Sequence, residues 1–263
     1  MMRFDIISIF PELFVSSFSR GVIQRGVERG LLEIQVHDLR RFAPGPHRQV
    51  DDKAFGGGGM VLQVEPIDRA VRATRQPQGR TASVLLTPQG RLLSQRLVEE
   101  LAAVDQVVLV AGRYDGVDER VAERVVDYEI SIGDYILSGG ELPAMVLVEA
   151  VARLVPGVVG NPASLAADSF AAEEADGVVL GAPVYTRPAT YRDWTVPETL
   201  LSGHHQAVSE WRRRRALEKT LRHRPDLLGR ALLAGEGLSI QSDRREEAHD
   251  ARDRSDHTTT VEK

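Results

Sequence analysis

The sequence predicts an α/β protein built on a mainly parallel sheet, and three observations carry that prediction. Short apolar, β-branched runs of strand length alternate with segments of helical spacing through the first half of the chain. Three successive strand-like runs end in glycine-bearing loops, Pro88-Gln89-Gly90, Gly112–Gly116 and Gly133–Gly140, and in an open α/β sheet ligands bind at the carboxyl ends of the strands. The stretch Glu129–Met145, E-I-S-I-G-D-Y-I-L-S-G-G-E-L-P-A-M, places three glycines and two acids within the nine residues Gly133–Glu141. Glycine orders at an entropic cost and packs nothing, so it fits where backbone turns sharply or lies against a ligand. Taken alone, the stretch reads either as a tight strand–turn–helix junction or as a ligand-facing wall.

In chain order, Phe4–Ile9 (F-D-I-I-S-I) reads as a buried strand stopped by Pro11, followed by short helical pieces at Glu12–Phe18 and Val22–Arg29 with Gly30 as C-terminal cap. Leu32–His37 alternates and reads as a second strand. Arg40–Met60 is expected to be a long loop, its Arg40, Arg41, His47, Arg48 and Lys53 beside four glycines fitting either an anion-facing lid or a loose connection. Pro66–Thr74 opens a helix with proline, Ser83–Thr87 is a buried strand, Ser94–Ala103 is helical and Gln106–Ala111 is a further strand. A helix over Val117–Val125 precedes the strand at Glu129. Val155–Arg187, rich in Pro, Gly and Ala, reads as a linker, and Pro197–Arg230 as helical with a stop near Pro225 or Gly229. Beyond about Ile240 the chain is charged, lacks aromatics and is expected to be disordered.

Composition bounds the function. The 263 residues, 42% hydrophobic and 27% charged, are those of an ordinary globular protein with room for one large or two modest domains. Cysteine is absent, which removes disulfides, thiolate metal ligands and a cysteine nucleophile, and is compatible with a cytosolic setting. No signal-peptide pattern opens the chain and no apolar run approaches a membrane span. The net charge of −5 argues against a general nucleic-acid coat, yet Leu201–Arg230 carries eight Arg or Lys against three acids, a local +5. Gln241–Lys263 carries seven acids against five bases, a local −2. The basic segment is either a solvated helix face or a localised polyanion contact.

Neither G-x-G-x-x-G nor G-x-x-x-x-G-K-[ST] is present, which argues against a standard dinucleotide fold and a P-loop enzyme. The motifs that are present, F-D-I-I-S-I-F-P at 4–11, G-R-Y-D-G-V-D-E-R at 112–120, S-I-G-D-Y-I-L-S-G-G-E-L-P-A-M at 131–145, D-S-F at 168–170, Y-T-R-P at 185–188 and L-S-G-H-H at 201–205, resemble the bacterial tRNA (guanine-N1)-methyltransferases of the SPOUT class. The resemblance runs in order from Met1 to about Gly229. It implies a deep trefoil knot on the C-terminal side of an N-terminal α/β domain (1–160), a flexible linker (161–184) and a small all-α tRNA-binding domain (185–239), to which composition adds the charged tail (240–263). It implies a cytoplasmic homodimer whose active sites are shared between subunits, with S-adenosylmethionine as methyl donor, guanosine 37 of tRNA as target and no membrane partner. Magnesium enters on the resemblance alone, since no carboxylate spacing declares a metal site.

Residue by residue, the resemblance assigns Asp168 as general base and Arg153 as the group that stabilises charge on guanine O6. Read by themselves, the first is a turn or N-cap carboxylate and the second a helix-end cation. The cofactor is expected against Leu85, Leu86, Thr87, Pro88, Gly112, Tyr114, Asp115, Ile132, Gly133, Asp134, Tyr135, Ile136 and Leu137, with Gly139, Gly140 and Pro143 shaping the wall. Tyr114 and Tyr135 also fit a core role. Arg187, His205, Arg212, Arg213, Arg214 and Arg215 are expected at the tRNA, the arginines on phosphates. The sequence departs from the family pattern in three places. F-G-G-G-G-M at 55–60 is one residue short, Asp115 stands in place of glutamate, and His204 in place of asparagine. Three other functions remain as alternatives at this level: a SPOUT methyltransferase with another target base, a silent RNA binder, or an adenosine-ligand binder without RNA.

Overall fold

In the computed structural model the chain opens with β1 (Met2–Ser8), followed by a 3₁₀ turn over Pro11–Phe14, α1 (Gly21–Glu28) and β2 (Leu32–Asp38). The helix expected over Glu12–Phe18 is only that one 3₁₀ turn; α1 ends where Gly30 adopts φ +68°. The structure describes residues 1–161, 164–165, 168–171, 173–174 and 177–228. The expected tail at 240–263, the end of the expected helical domain and part of the expected linker lie outside the described residues. The chain divides into two compact units, Met1–Ala166 and Ala167–Lys263.

The segment expected to be one long loop, Arg40–Met60, contains more regular structure than its glycines and prolines predict. Asp38 caps a 3₁₀ turn over Leu39–Phe42, and β3 (Asp51–Lys53) pairs antiparallel with β4 (Met60–Leu62) around the glycine tip. Then come α2 (Val64–Thr74), β5 (Thr81–Leu92), α3 (Gln95–Ala102), β6 (Gln106–Ala111), α4 (Glu119–Arg124), β7 (Tyr128–Ser131) and α5 (Glu141–Ala152). Ser94 and Asp118 accept the amides of Leu97 and Arg120 and so fix the starts of α3 and α4. The strand expected at Ser83–Thr87 runs on to Leu92: Leu86 and Arg91 both pair with Ile130, so Thr87–Gly90 loops out as a bulge inside β5.

Five strands form one parallel sheet in the order β2-β1-β6-β5-β7. Alternate residues of its central strands feed two cores, as period-two geometry requires. Phe4, Ile6, Val84, Leu86, Val107 and Leu109 pack with α1, α3 and α5, while Ile7, Leu85, Val108 and Val110 pack with α2 and α4. The result is a three-layer α/β unit.

In the second unit β8 (Glu173–Glu174) pairs with β9 (Gly177–Val178), and β10 (Thr190–Tyr191) with β11 (Trp194–Thr195). The expected helix over Pro197–Arg230 is two helices, α6 (Glu198–Leu201) and α7 (His205–His223), followed by a 3₁₀ turn at Pro225–Leu227. Gly203, at φ +72°, breaks them apart. The described part of this unit is therefore helical with short hairpins, not wholly helical. The aromatic and β-branched residues Thr190, Tyr191, Trp194 and Thr195 favour strand, and a two-residue loop joins them.

Candidate cofactor site

The bulge inside β5 and the loops that follow β6 and β7 meet at the carboxyl edge of the sheet and enclose a cleft of about 610 Å³. That volume lies within the usual range for small-molecule sites. Of the residues expected at the cofactor, Leu85, Leu86, Thr87, Pro88, Gly112, Tyr114, Asp115, Ile132, Gly133, Tyr135, Ile136, Leu137, Gly139, Gly140 and Pro143 line it. Asp134 does not. It is the exposed apex of a tight turn closed by the Tyr135 amide on the Gly133 carbonyl, 3.0 Å away. Tyr114 and Tyr135 are exposed cleft residues, not core. Tyr114 holds a left-handed φ of +61°, a conformation that bulky residues adopt only where the surroundings impose it.

Glycine is demanded here by close approach. A Cβ on Gly140 would lie 2.8 Å from both Ala111 Cα and Gly112 N, and the Gly140 amide donates to the Gly112 carbonyl at 2.8 Å. A Cβ on Gly90 would run into the Glu129–Ile130 peptide.

Beneath the cleft wall sits a polar brace that the sequence reading did not single out. Glu141, buried in the first turn of α5, accepts Ser8 Oγ at 2.8 Å and Arg113 Nε at 3.0 Å. The Arg113 guanidinium lies 4.7 Å from the Phe10 ring centroid. The brace joins the end of β1, the loop after β6 and the start of α5, and an acid in the first turn also suits the helix dipole. An acid at the head of a helix whose next seven residues are all apolar was the available signal.

The β3–β4 hairpin is fastened along the same loop. Asp115 N donates to Met60 O at 3.1 Å, Leu62 N to Gly116 O at 3.0 Å and Asp118 N to Leu62 O at 3.0 Å. Nearby, the Arg120 guanidinium and amide hold the Asp118 carboxyl below its usual range.

A family model described as tRNA (Guanine-1)-methyltransferase TrmD matches residues 2–230. The chain belongs to the tRNA (guanine-N1)-methyltransferase family. It is 48% identical to the tRNA (guanine-N(1)-)-methyltransferase of Geobacter metallireducens over 88% of this chain and 93% of that protein. It is 47% identical to the protein of that name from Chloroflexus aurantiacus (89% and 91% covered) and 46% identical to that from Dictyoglomus turgidum (91% and 95% covered).

The remaining residues that the family resemblance singles out are distributed over both units. Arg153 is the exposed residue that caps the end of α5 in the first unit. Asp168 is exposed in the second, on a turn tied by Ser169 Oγ accepting the Gly181 amide at 2.8 Å and by the Phe170 amide donating to Val179 O at 3.1 Å. The Leu180 amide in turn donates to Thr220 Oγ1 of α7 at 2.9 Å, so the D-S-F turn is anchored to that helix. Arg212, Arg213, Arg214 and Arg215 form an exposed run on α7 behind Trp211, whose ring packs against Tyr185 and draws the Arg187 segment to the helix. Arg214 and Arg215 pair with Glu218, contacts weak enough to exchange for phosphate. His205 begins α7, and His204 caps it, its Nδ1 accepting the Ala207 amide at 3.2 Å. An asparagine amide oxygen would do the same.

Proposed function

We propose that this member of the tRNA (guanine-N1)-methyltransferase family transfers a methyl group from S-adenosylmethionine to N1 of guanosine 37 of tRNA in the cytoplasm. The observation that carries the reading is the cleft: three glycine-built loops at the carboxyl edge of a parallel sheet, with backbone amides and carbonyls available to an adenosine edge. Bound S-adenosylmethionine would supply an electrophilic sulfonium methyl. Guanine N1 carries a proton and is a poor nucleophile, so the protein must remove that proton, offset the charge spreading to O6 and hold N1 in line with the methyl. Asp168 takes the proton, Arg153 stabilises O6, and the cleft walls orient the cofactor. The target base leaves its stack to reach the site. Among the described residues no three His, Cys, Asp or Glu side chains gather where they could hold a metal ion. The described residues thus offer no such cage for the magnesium that the resemblance implies.

The same reading includes a knotted domain to about residue 160, a linker over 161–184 carrying Asp168, and a tRNA-binding domain over 185–239. The passage of Gly140 directly against Ala111 and Gly112 supports a threaded chain. A homodimer is supported by α5, which buries one face while Leu142 and Val146 stand exposed on the other, with Leu13 and Val15 also exposed. Among the described residues no helix is long and apolar enough to cross a membrane.

The test is methyl transfer from labelled S-adenosylmethionine to unmodified tRNA, wild type beside Asp168→Ala, with the product base mapped. Transfer to N1 of guanosine 37, lost in Asp168→Ala while cofactor binding persists, is the expected result. Transfer to another position would overturn the substrate, and tight cofactor binding without transfer would overturn the activity.

A further inference from the structure

The segment Tyr185–Thr195, Y-T-R-P-A-T-Y-R-D-W-T, holds three aromatic residues and two arginines, and only Arg187 entered the functional reading. Its β10–β11 hairpin sets Tyr191 and Trp194 directly opposite each other across a two-residue loop. Their ring centroids are 5.7 Å apart at an interplanar angle of 53°. Arg192 occupies the loop at φ +53° with its guanidinium 5.4 Å from the Tyr191 ring centroid.

These rings are left in water. Tyr191 is 54% and Trp194 68% exposed, whereas the chain's other tryptophan, Trp211, is 6% exposed. Every residue from Val184 to Thr195 is exposed. Strands of two residues bury nothing of their own, so within the described residues the hairpin presents flat apolar faces beside a cation. Those are the parts of a nucleobase-stacking site: an aromatic face that accepts any base, and a guanidinium that can stack or reach a phosphate. Charge selects among partners. Arg187 and Arg192 against Asp193 leave the segment positive, and α7 of the same unit adds Arg212–Arg215, which favours a polyanion over a protein surface.

We propose that Tyr191, Arg192 and Trp194 form a stacking platform for an unpaired base of the RNA substrate, distinct from the cleft and from the base that is methylated. The proposal rests on the reading that the substrate is tRNA.

The experiment measures the affinity of full-length protein for unmodified tRNA, with S-adenosylmethionine affinity and sedimentation as companions. Trp194→Ala is expected to weaken tRNA binding about 5- to 150-fold, the range for losing one stacked base, and to raise KM for tRNA while S-adenosylmethionine affinity stays. Trp194→Phe keeps a stacking face and should retain most of the affinity. Arg192→Ala should lower the salt dependence by about one ion, which Trp194→Ala should not. Unchanged tRNA affinity in Trp194→Ala, with transfer intact, overturns the platform and leaves the proposed function standing. A change in protomer association with Trp194→Ala would instead make the hairpin a seat for a second copy. Wild-type protein that neither binds nor methylates tRNA overturns the functional reading and the platform together.

Discussion

The Gly59 amide donates a 2.8 Å hydrogen bond to Oδ2 of Asp115. The bond joins two of the places where the family resemblance expects another pattern, a longer glycine tip and a glutamate. A Cβ on Gly59 would overlap the Asp115 carboxylate, so the two positions constrain each other. Asp115→Ala should weaken S-adenosylmethionine binding about tenfold, or about 1.4 kcal/mol, the scale of one net hydrogen bond. Asp115→Glu, which moves the carboxylate away from its 2.8 Å register with the Gly59 amide, should weaken it too. One glycine inserted beside Gly58 should then restore affinity, as titration calorimetry would read.

Gly140 tolerates no side chain, because its neighbours are backbone. Gly140→Ala should cost about 1–3 kcal/mol in denaturant unfolding, the scale of overpacking, and should abolish cofactor binding before it abolishes the fold. Binding and stability equal to wild type would show that the chains can move apart.

Glu141 holds Arg113 and Ser8 from a buried position. Removing one partner of a buried pair leaves an uncompensated charge, so Glu141→Ala should cost about 3–5 kcal/mol, and Ser8→Ala about 1 kcal/mol. The double variant Glu141→Ala with Arg113→Ala should cost less than the sum of the two single variants.

Asp5 is buried at the heart of the sheet. Burial by itself would raise its carboxyl, but hydrogen bonds from His37, Arg3 and Gln106, at 2.7, 2.7 and 2.6 Å, outweigh it and hold the group at about 2. A depressed folded-state value means stability that is present above the unfolded-state value of about 4 and is lost as pH falls towards 2. The loss should be of the order of 2 kcal/mol. In Asp5→Asn, acid unfolding between pH 4 and 2 should be correspondingly flatter.

His204→Asn should preserve the stability of the second unit, since either side chain can accept the Ala207 amide. His204→Ala should cost about 1 kcal/mol, read as the melting of helical circular dichroism.

The sequence by itself determined the α/β class, because a strand buried on both faces, such as Gln106–Ala111, shows as an unbroken apolar run. It determined the loops that would line the cleft, since glycines such as Gly90 and Gly140 stand where backbone approaches closely. It also identified the family, because the motifs are long and ordered. Tertiary structure alone decided which glycine faces which backbone, and that Asp134 does not line the cleft although Gly133 and Tyr135 on either side of it do. It brought Ser8 to Glu141, 133 residues apart in the chain, and Gly59 to Asp115. It also made strands of Asp51–Lys53 and Met60–Leu62 inside an apparent loop, and set Tyr191 beside Trp194. Periodicity reports which face of an element is buried. It carries no record of the partner that a polar side chain or a glycine meets across a long loop, since that pairing arises only when the sheet has closed.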